Sequence, residues 1–164
     1  MIKDKIRIYT DGAYSRKNNI GGCAFLAQYL IYNQEVGDFV VVKEADGSRT
    51  IKNTTSNRME LQAIIDGLNF IKHPRNVEII SDATYCTDTI NRWLSSFIKD
   101  RYRLNYDLMI KLHEAICRMK PFTVTGIWVR GHCGNEHNER VNELAQRAAG
   151  TFKEKKCRIV STQT

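Results

Sequence analysis

The spacing of apolar residues in this sequence changes near residue 53, from a pattern typical of strands to one typical of helices. Before that point, residues 6–12, 23–32 and 36–43 are rich in the β-branched and aromatic side chains that suit a pleated sheet. Short polar links separate these segments at residues 16–22 and 33–34, and Asp46-Gly47 is expected to end the third strand. Three strands joined by such short links predict an antiparallel meander.

After residue 53, helical stripes alternate with short apolar runs. The first stripe repeats at positions i, i+3, i+4, i+7 and i+10: Leu61, Ile64, Ile65, Leu68 and Ile71. Further helices are predicted after Asp82, over residues 108–119 and over residues 136–149, with a buried strand at residues 77–81 and a fifth strand at residues 123–130. The order βββαβααβα predicts an α/β fold with a mixed sheet, whose later strands are parallel and covered by helices.

Length and composition indicate the size and general class of the protein, but they do not identify its function. A chain of 164 residues, 42% of them hydrophobic, is long enough for a single domain with its own core. We expect that domain to span residues 1–150, followed by a basic, flexible tail over residues 151–164. No stretch has the length of a membrane span, and the N-terminus is charged from Lys3. We therefore expect neither a signal peptide nor a transmembrane segment.

The cysteines and the net charge bear on the cellular compartment and on the class of binding partner. The five cysteines are odd in number, widely spaced and without a CxxC pair. This pattern argues against a zinc site or a disulfide framework and favours free thiols in a reducing cytoplasm. A net charge of +7 draws a protein to polyanions without saying which one. We therefore expect a cytoplasmic monomer, with weak support for a nucleic-acid partner.

Four polar residues stand at junctions between the predicted elements: Asp11, Glu60, Asp82 and Asn142. Each also has a purely structural interpretation. Asp11 precedes a glycine, as turn residues do, and Glu60 could complete a capping box with Asn57 as the N-cap. Asp82 could be a helix N-cap, and Asn142 could be a solvated helix residue.

The setting of these residues favours chemistry over the structural interpretations. If the first and fourth strands are neighbours, Asp11 and Asp82 meet at the sheet, and the first helix can bring Glu60 against them. Three carboxylates this close repel one another, so a cation or protons must neutralise their charge. Hard oxygen ligands favour Mg²⁺ or Mn²⁺, and two such ions about 4 Å apart serve in-line phosphoryl transfer.

Four segments of the chain resemble the successive motifs of type 1 ribonuclease H. They are YTDGA at residues 9–13, TTSNRMEL at residues 54–61, SDATY at residues 81–85 and WVRGHCGNEHNER at residues 128–140. They occur in the family's order and at compatible spacing, and they cover nearly the whole chain up to about residue 150. The resemblance implies the ribonuclease H-like fold, a five-stranded mixed sheet with three antiparallel strands, then parallel ones, flanked by helices.

The resemblance also implies an activity and the residues that carry it. The expected enzyme is a sequence-independent endonuclease that hydrolyses the RNA strand of RNA–DNA hybrids, leaving a 5′-phosphate and a 3′-hydroxyl. Its implied catalytic residues are Asp11, Glu60, Asp82, His132 and Asn142. All of these except His132 would hold two Mg²⁺ or Mn²⁺ ions, with Asp11 bridging them. His132 would assist proton transfer or product release.

The implied substrate contacts lie around these residues. By resemblance, the residues that reach the hybrid are Gly12, Ala13, Thr55, Ser56, Asn57, Thr84 and Trp93. Residues 93–105 resemble a shortened form of the basic segment that some members use to grip the hybrid, with the cations Lys99, Arg101 and Arg103. The alternative is a solvated helix end with core aromatic residues. None of these contacts reads bases, so cleavage is expected to be largely independent of sequence.

The sequence departs from the family pattern at two positions near the site. The family usually has aspartate where this chain has Asn142, and serine is commoner than Ala83. An amide oxygen can ligate a hard cation but carries no charge, so we expect activity that survives with weaker metal binding. The alternative is a catalytically weakened or dead module that binds the hybrid. A different nuclease on the same fold is disfavoured by the intact motifs. The ribonuclease domain of a retroelement is disfavoured because the chain begins at Met1, close to the first strand.

Overall fold

The computed structural model describes residues 3–154, in which five strands form one mixed sheet of order β3-β2-β1-β4-β5. The strands are β1 (Asp4–Ser15), β2 (Ile20–Asn33), β3 (Asp38–Lys52), β4 (Val77–Ser81) and β5 (Val124–Trp128). The first three pair antiparallel, whereas β4 pairs in parallel with both β1 and β5. The predicted mixed sheet is confirmed.

The helices follow the predicted order, with one interruption. They are α1 (Ser56–Phe70), α2 (Thr84–Asp88), α3 (Leu94–Phe97), α4 (Tyr106–Cys117) and α5 (Glu136–Ala149), and a π-helical turn (Thr89–Trp93) joins α2 to α3. The second predicted helix is therefore three consecutive segments. None of the helices within residues 3–154 is long and apolar enough to cross a membrane.

The core lies on both faces of the sheet. On one face, Ile8 and Ile79 are fully buried and pack with apolar residues of α1 and α4. On the other face, Tyr9 and Ile80 pack with Val141 of α5. Burying a side chain of this size stabilises the fold by about 1.5–3 kcal/mol. The sheet is therefore held between two helical layers, and the strand ends are fixed relative to both.

Two predicted strand ends were wrong, because Asp-Gly pairs do not form turns here. Asp11 and Gly12 lie inside β1, opposite Ala24 and Cys23, and Asp46-Gly47 lies inside β3. A Cβ atom on Gly12 would lie 2.5 Å from the backbone nitrogen of Glu60, so α1 requires a glycine there. Tertiary packing, which local sequence does not reveal, explains this glycine.

The predicted loop at Gly21-Gly22 was also wrong, since both residues lie in β2. A Cβ atom on Gly22 would lie 2.1 Å from the carbonyl oxygen of Ala145. This glycine allows α5 to approach the sheet backbone directly.

The cap of α1 differs from the prediction. Thr55 is the N-cap, and its side chain accepts a hydrogen bond from the backbone nitrogen of Arg58 at 3.3 Å. Asn57 lies within the first turn of the helix. The capping-box interpretation of Glu60 is therefore wrong.

The end of the described chain is tied to α5. Gly150 ends the helix with a left-handed φ of 69°, and Thr151 donates from its backbone nitrogen to the carbonyl oxygen of Gln146 at 2.9 Å. Of the predicted tail, residues 155–164 lie outside the described residues. The described cysteines are free thiols: Cys23, Cys86, Cys117 and Cys133.

Candidate metal centre and nucleic-acid interface

The three predicted carboxylates meet where β4 ends and β1 continues. The parallel ladder between these strands ends with Tyr9 opposite Ile80, so Asp11 and Asp82 both lie two residues beyond it. Glu60 reaches them from α1, whose backbone lies against Gly12. One oxygen from each of the three carboxylates lies within 4.8 Å of the others. The predicted convergence of Asp11, Glu60 and Asp82 is present in the structure.

Burial and repulsion from neighbouring carboxylates favour protonation of Asp11 and Glu60 when no cation is bound. Burial, followed by the charge of Asp82, raises the pKa of Asp11 from 3.8 to about 7. Burial, followed by the charges of Asp11 and Asp82, raises the pKa of Glu60 well above its usual value. The backbone nitrogen of Gly12 donates to Asp11 Oδ1 at 2.8 Å and partly offsets the rise in the pKa of Asp11.

The donor set fits a hard divalent cation. Glu60 Oε2 is buried and has no hydrogen-bond partner among the described residues. A buried carboxylate oxygen without a donor is unfavourable, and two further carboxylates increase the repulsion. A cation with oxygen ligands would satisfy all three groups at once.

The opposite wall of the site is a helix. Asn142 of α5 lines the same cleft as the three carboxylates, a space of about 340 Å³. Three kinds of contact set the position of α5. The helix packs closely against Gly22, and Thr50 Oγ1 donates to the carbonyl oxygen of Ala148 at 2.7 Å. Arg140 forms ion pairs with Glu44 and Asp46. The structure therefore brings Asn142 to the cleft, although its side chain adds no charge.

A loop histidine completes the predicted set. His132 is exposed and lines the cleft, as do Gly12 and Ala13. Its backbone has a φ of 55°, in the left-handed region that few residues other than glycine adopt. The loop that carries it is therefore held in an uncommon conformation beside the carboxylates.

Sequence reasoning missed three residues that line the cleft: Tyr14, Gln146 and Thr151. Gln146 follows Asn142 by four residues, so helical spacing could have found it. Thr151 reaches the cleft because the chain turns back at Gly150, which sequence alone does not place. No comparable signal identifies Tyr14.

The predicted substrate contacts are exposed, except for Gly12 and Ala13, which are half-buried. Thr55, Ser56 and Asn57 lie at the start of α1, and Thr84 begins α2 two residues after Asp82. These side chains are free to meet a partner on the side of the molecule where the carboxylates lie. Their contacts with a nucleic acid stay predictions.

Residues 93–105 contain two cation–aromatic pairs. The Arg103 guanidinium lies 3.4 Å from the ring centroid of Phe97, and Arg101 lies 5.0 Å from that of Tyr102. Phe97 is buried, whereas Tyr102 is 84% exposed and Trp93 is 40% exposed. Among these three aromatic residues, only Phe97 is the core residue that the solvated-helix alternative requires.

Arg58 connects this basic segment to the start of α1, which the sequence did not reveal. It donates to both carboxylate oxygens of Asp107, at 2.9 and 2.6 Å, and to Asn105 Oδ1 at 3.3 Å. Bidentate pairing of arginine with a carboxylate fixes orientation as well as distance. The end of the basic segment is therefore held against the turn that carries Thr55.

Comparison with known proteins agrees with this fold. The RNase H family model matches residues 3–150. A ribonuclease H from Sulfurovum sp. (strain NBC37-1) is 36% identical over 153 residues, which cover 92% of this chain and 95% of that protein. Ribonuclease HI of Campylobacter jejuni subsp. jejuni serotype O:2 is 35% identical over 146 residues, which cover 88% of this chain and 90% of that protein.

A solved structure has the same architecture. The crystal structure of LC9-RNase H1, a type 1 RNase H with the type 2 active-site motif, superposes with a TM-score of 0.70 at 26% identity. The match covers 93% of this chain and 75% of that one. Fold, carboxylate site and relatives together define a class of hydrolases that act on nucleic acid. The chain belongs to the RNase H family, which confirms the resemblance of its motifs.

Proposed function

We propose that this enzyme hydrolyses the RNA strand of RNA–DNA hybrids as an endonuclease, leaving a 5′-phosphate and a 3′-hydroxyl. The observation that carries the proposal is the meeting of three carboxylates, from β1, α1 and the end of β4, within 4.8 Å of one another. They lie in an open cleft in a protein of net charge +7. Family membership supports the hybrid as substrate.

The cofactors we propose are two Mg²⁺ or Mn²⁺ ions. The residues that would hold them are Asp11, Glu60, Asp82 and Asn142. Bound there, the ions supply an activated water for in-line attack and neutralise charge at the phosphate. Three carboxylates and one neutral amide give this site three formal negative charges.

Each residue of the site has a proposed role. Asp11, whose carboxylate lies within reach of both other carboxylates, would hold both ions. Glu60 and Asp82 would hold the ion that stabilises the leaving group, and the amide oxygen of Asn142 would help to hold the ion that activates the attacking water. His132, exposed on its loop, moves a proton or assists departure of the product.

Substrate recognition is proposed to follow shape and charge. Ser56, Asn57 and Thr84 reach the minor groove, where only the RNA strand carries 2′-hydroxyls. Backbone groups at Gly12 and Ala13 contact those hydroxyls. The contacts proposed for the DNA strand and its phosphates are Thr55, Trp93, Lys99, Arg101 and Arg103. Backbone contacts of this kind position the duplex without reading bases.

The main alternative is a binding module that holds the hybrid but cleaves it slowly or not at all. Its support is Asn142, whose uncharged side chain lines the cleft. The three carboxylates Asp11, Glu60 and Asp82 favour the enzyme.

The test compares a labelled RNA–DNA hybrid, a DNA duplex and an RNA duplex, each incubated with Mg²⁺ or Mn²⁺. We expect cleavage of the RNA strand of the hybrid alone, and no cleavage by Asp11→Asn. Binding of the hybrid without cleavage under either ion would favour the binding module. Cleavage of the DNA duplex would contradict the proposed substrate.

The domain boundaries, the oligomeric state and the cellular compartment of the enzyme are also proposals. Residues 1–150 form the ribonuclease domain and residues 151–164 a basic tail, and the enzyme is a monomer. The widely spaced cysteines suit a reducing compartment such as the cytoplasm. A single species with the chain mass of 18.9 kDa in size-exclusion chromatography with light scattering would support the monomer.

A further inference from the structure

Asp82 lies on a two-residue connection between the last residue of β4, Ser81, and the first residue of α2, Thr84. The N-cap of α2 is Ala83, which makes no side-chain capping hydrogen bond. Asp82 is therefore not the helix cap that the sequence suggested as its structural role. Within this connection, the backbone nitrogen of Ala83 donates to Ser81 Oγ at 3.1 Å, and Asp82 has further contacts with residues of β5 and of the loop that follows it.

The end of β5 supplies a hydrogen bond to the backbone of Asp82. The ladder between β4 and β5 ends with Ser81 opposite Trp128, and the backbone nitrogen of Val129 donates to the carbonyl oxygen of Ser81 at 3.0 Å. Beyond this last pair, the indole Nε1 of Trp128 donates to the carbonyl oxygen of Asp82 at 3.0 Å. The indole thus extends the line of hydrogen bonds by one residue, where the strands have stopped pairing.

Burial in the core does not explain why position 128 is a tryptophan. Its side chain is 52% exposed, so much of its apolar surface stays in contact with water. The hydrogen bond to Asp82 is the interaction that a smaller or purely apolar residue at this position could not make.

The loop after β5 contacts the carboxylate itself. A Cβ atom on Gly131 would lie 2.5 Å from Asp82 Oδ2 and 3.4 Å from its Cγ. Gly131 does not have the left-handed φ that Gly134 has, so a larger residue here would be opposed by contact with the Asp82 carboxylate and not by backbone strain. Gly131 therefore lies directly against the carboxylate and limits where it can turn.

We propose that Trp128 and Gly131 are positioning residues for the metal ligand Asp82. Trp128 holds the backbone of Asp82 through its indole N–H, and Gly131 leaves the space in which the carboxylate lies. Both act through Asp82 and not on the substrate. The inference rests on the metal site of the proposed function, and it assigns the placement of one ligand of that site to two further residues of this chain.

The first test titrates Mn²⁺ alone into the metal-free protein and follows binding by calorimetry. Trp128→Phe keeps an aromatic ring and removes the donor, and we expect it to weaken Mn²⁺ binding roughly tenfold, as loss of a group that orients a ligand does. Gly131→Ala displaces the carboxylate, and we expect a larger loss. Ile127→Val is the matched control, since Ile127 is the exposed neighbour of Trp128 in β5. It should bind Mn²⁺ as the unchanged protein does.

The second test measures the hydrogen bond directly by exchange of the indole N–H protons in NMR spectra. Trp93 is the reference, because its side chain has a similar exposure of 40%. We expect the Trp128 indole proton to exchange more slowly than that of Trp93. In hybrid cleavage, excess Mn²⁺ should restore the kcat of Trp128→Phe with no change in KM for the hybrid.

These outcomes separate the inference from the proposed function. Unchanged Mn²⁺ affinity in a folded Trp128→Phe, or equal exchange of the two indole protons, would overturn the inference. Absence of Mn²⁺ binding by the unchanged protein would overturn both. Weakened Mn²⁺ binding in Trp128→Phe, with no hybrid cleavage by the unchanged protein, would support the positioning role and refute the proposed activity. If Gly131→Ala fails to fold, Trp128→Phe decides alone.

Discussion

The two walls of the cleft differ in charge and in how they reach their positions. The wall of Asp11, Glu60 and Asp82 is built on the sheet and on the first helix that packs against it, and its carboxylates are so close that, in addition to burial, the charge of Asp82 raises the pKa of both Asp11 and Glu60. The wall of Asn142 belongs to α5, which packs on the other face of the sheet and contributes a neutral side chain. One wall therefore holds excess negative charge, whereas the other can only add ligand atoms.

Ligand number and ligand charge are therefore separate properties of the site. The carboxylate wall should decide whether a cation binds at all, because its repulsion is relieved only by a cation or by protons. The helix wall should affect how tightly a bound cation is held, because it can supply a further ligand atom. Changes to each wall should therefore have effects of different kind and size.

The largest effect is expected from Asp11→Asn, which removes the charge at the centre of the carboxylate wall. Changing a group behind a ligand typically costs roughly 10–100-fold, so loss of the central ligand should lower kcat/KM for the hybrid by more than about 100-fold. Steady-state cleavage of a labelled hybrid measures this. Activity within a few-fold of the unchanged enzyme would show that Asp11 is not the central ligand.

The next effect concerns stability and pH in the absence of metal. The pKa of Asp11 is raised from 3.8 to about 7 in the folded protein, so folding binds a proton between these values. The stabilising contribution is complete below about pH 4 and is lost as the pH rises through about 7. Urea unfolding in a chelator should therefore show a loss on the order of 2–4 kcal/mol between about pH 4 and about pH 8. The loss should be smaller in Asp11→Asn, where only the raised pKa of Glu60 still contributes.

Mn²⁺ provides the control for this pH effect. At about pH 8, above the raised pKa of Asp11, the added ion should restore stability to the unchanged protein and have little effect on Asp11→Asn. Parallel pH profiles for the two proteins would mean that repulsion in the carboxylate wall is relieved in another way.

A smaller effect is expected from Asn142→Asp, which gives the helix wall a charge. The fourth carboxylate should lower the Mg²⁺ concentration for half-maximal cleavage by roughly tenfold, because an added negative charge attracts the cation. Asn142→Ala is the matched variant that removes the amide oxygen without adding charge, and it should raise that concentration. An equal metal requirement in all three proteins would exclude Asn142 as a ligand.

The smallest effect is expected outside both walls, in the basic segment. Replacing Lys99, Arg101 and Arg103 by Gln should weaken hybrid binding, because fewer cations then neutralise phosphates of the duplex. The slope of log K against log salt should fall by about 0.9 for each phosphate that is no longer neutralised. Fluorescence anisotropy at several salt concentrations measures the slope.

The matched control for this experiment changes three lysines that precede the parallel strands: Lys3, Lys72 and Lys120. They lie toward the strand starts, away from the carboxylates at the strand ends. The control removes the same net charge. If both triple variants change the slope equally, the basic segment has no special part in binding.

The sequence predicted the parts of the molecule that depend on local pattern. The sheet strands, the span of α5 and the convergence of the three carboxylates followed from apolar spacing and from motifs. Local pattern failed where distant packing decides the outcome, as at Gly12, where the Asp-Gly pair lies inside a strand because α1 lies against it. The bonds of Arg58 to Asp107 and of Trp128 to Asp82 join residues 49 and 46 positions apart, which spacing cannot reveal.

The pairing register of β1 and β4 has a consequence for folding. The site requires that Tyr9 lies opposite Ile80, since only then do Asp11 and Asp82 extend equally far beyond the ladder. A slip of one residue between these strands would move the two carboxylates out of step and turn the side chains of one strand to the opposite face of the sheet. A chain folded in the wrong register would therefore bind cations poorly, and recovery of metal binding during refolding would report correct strand pairing.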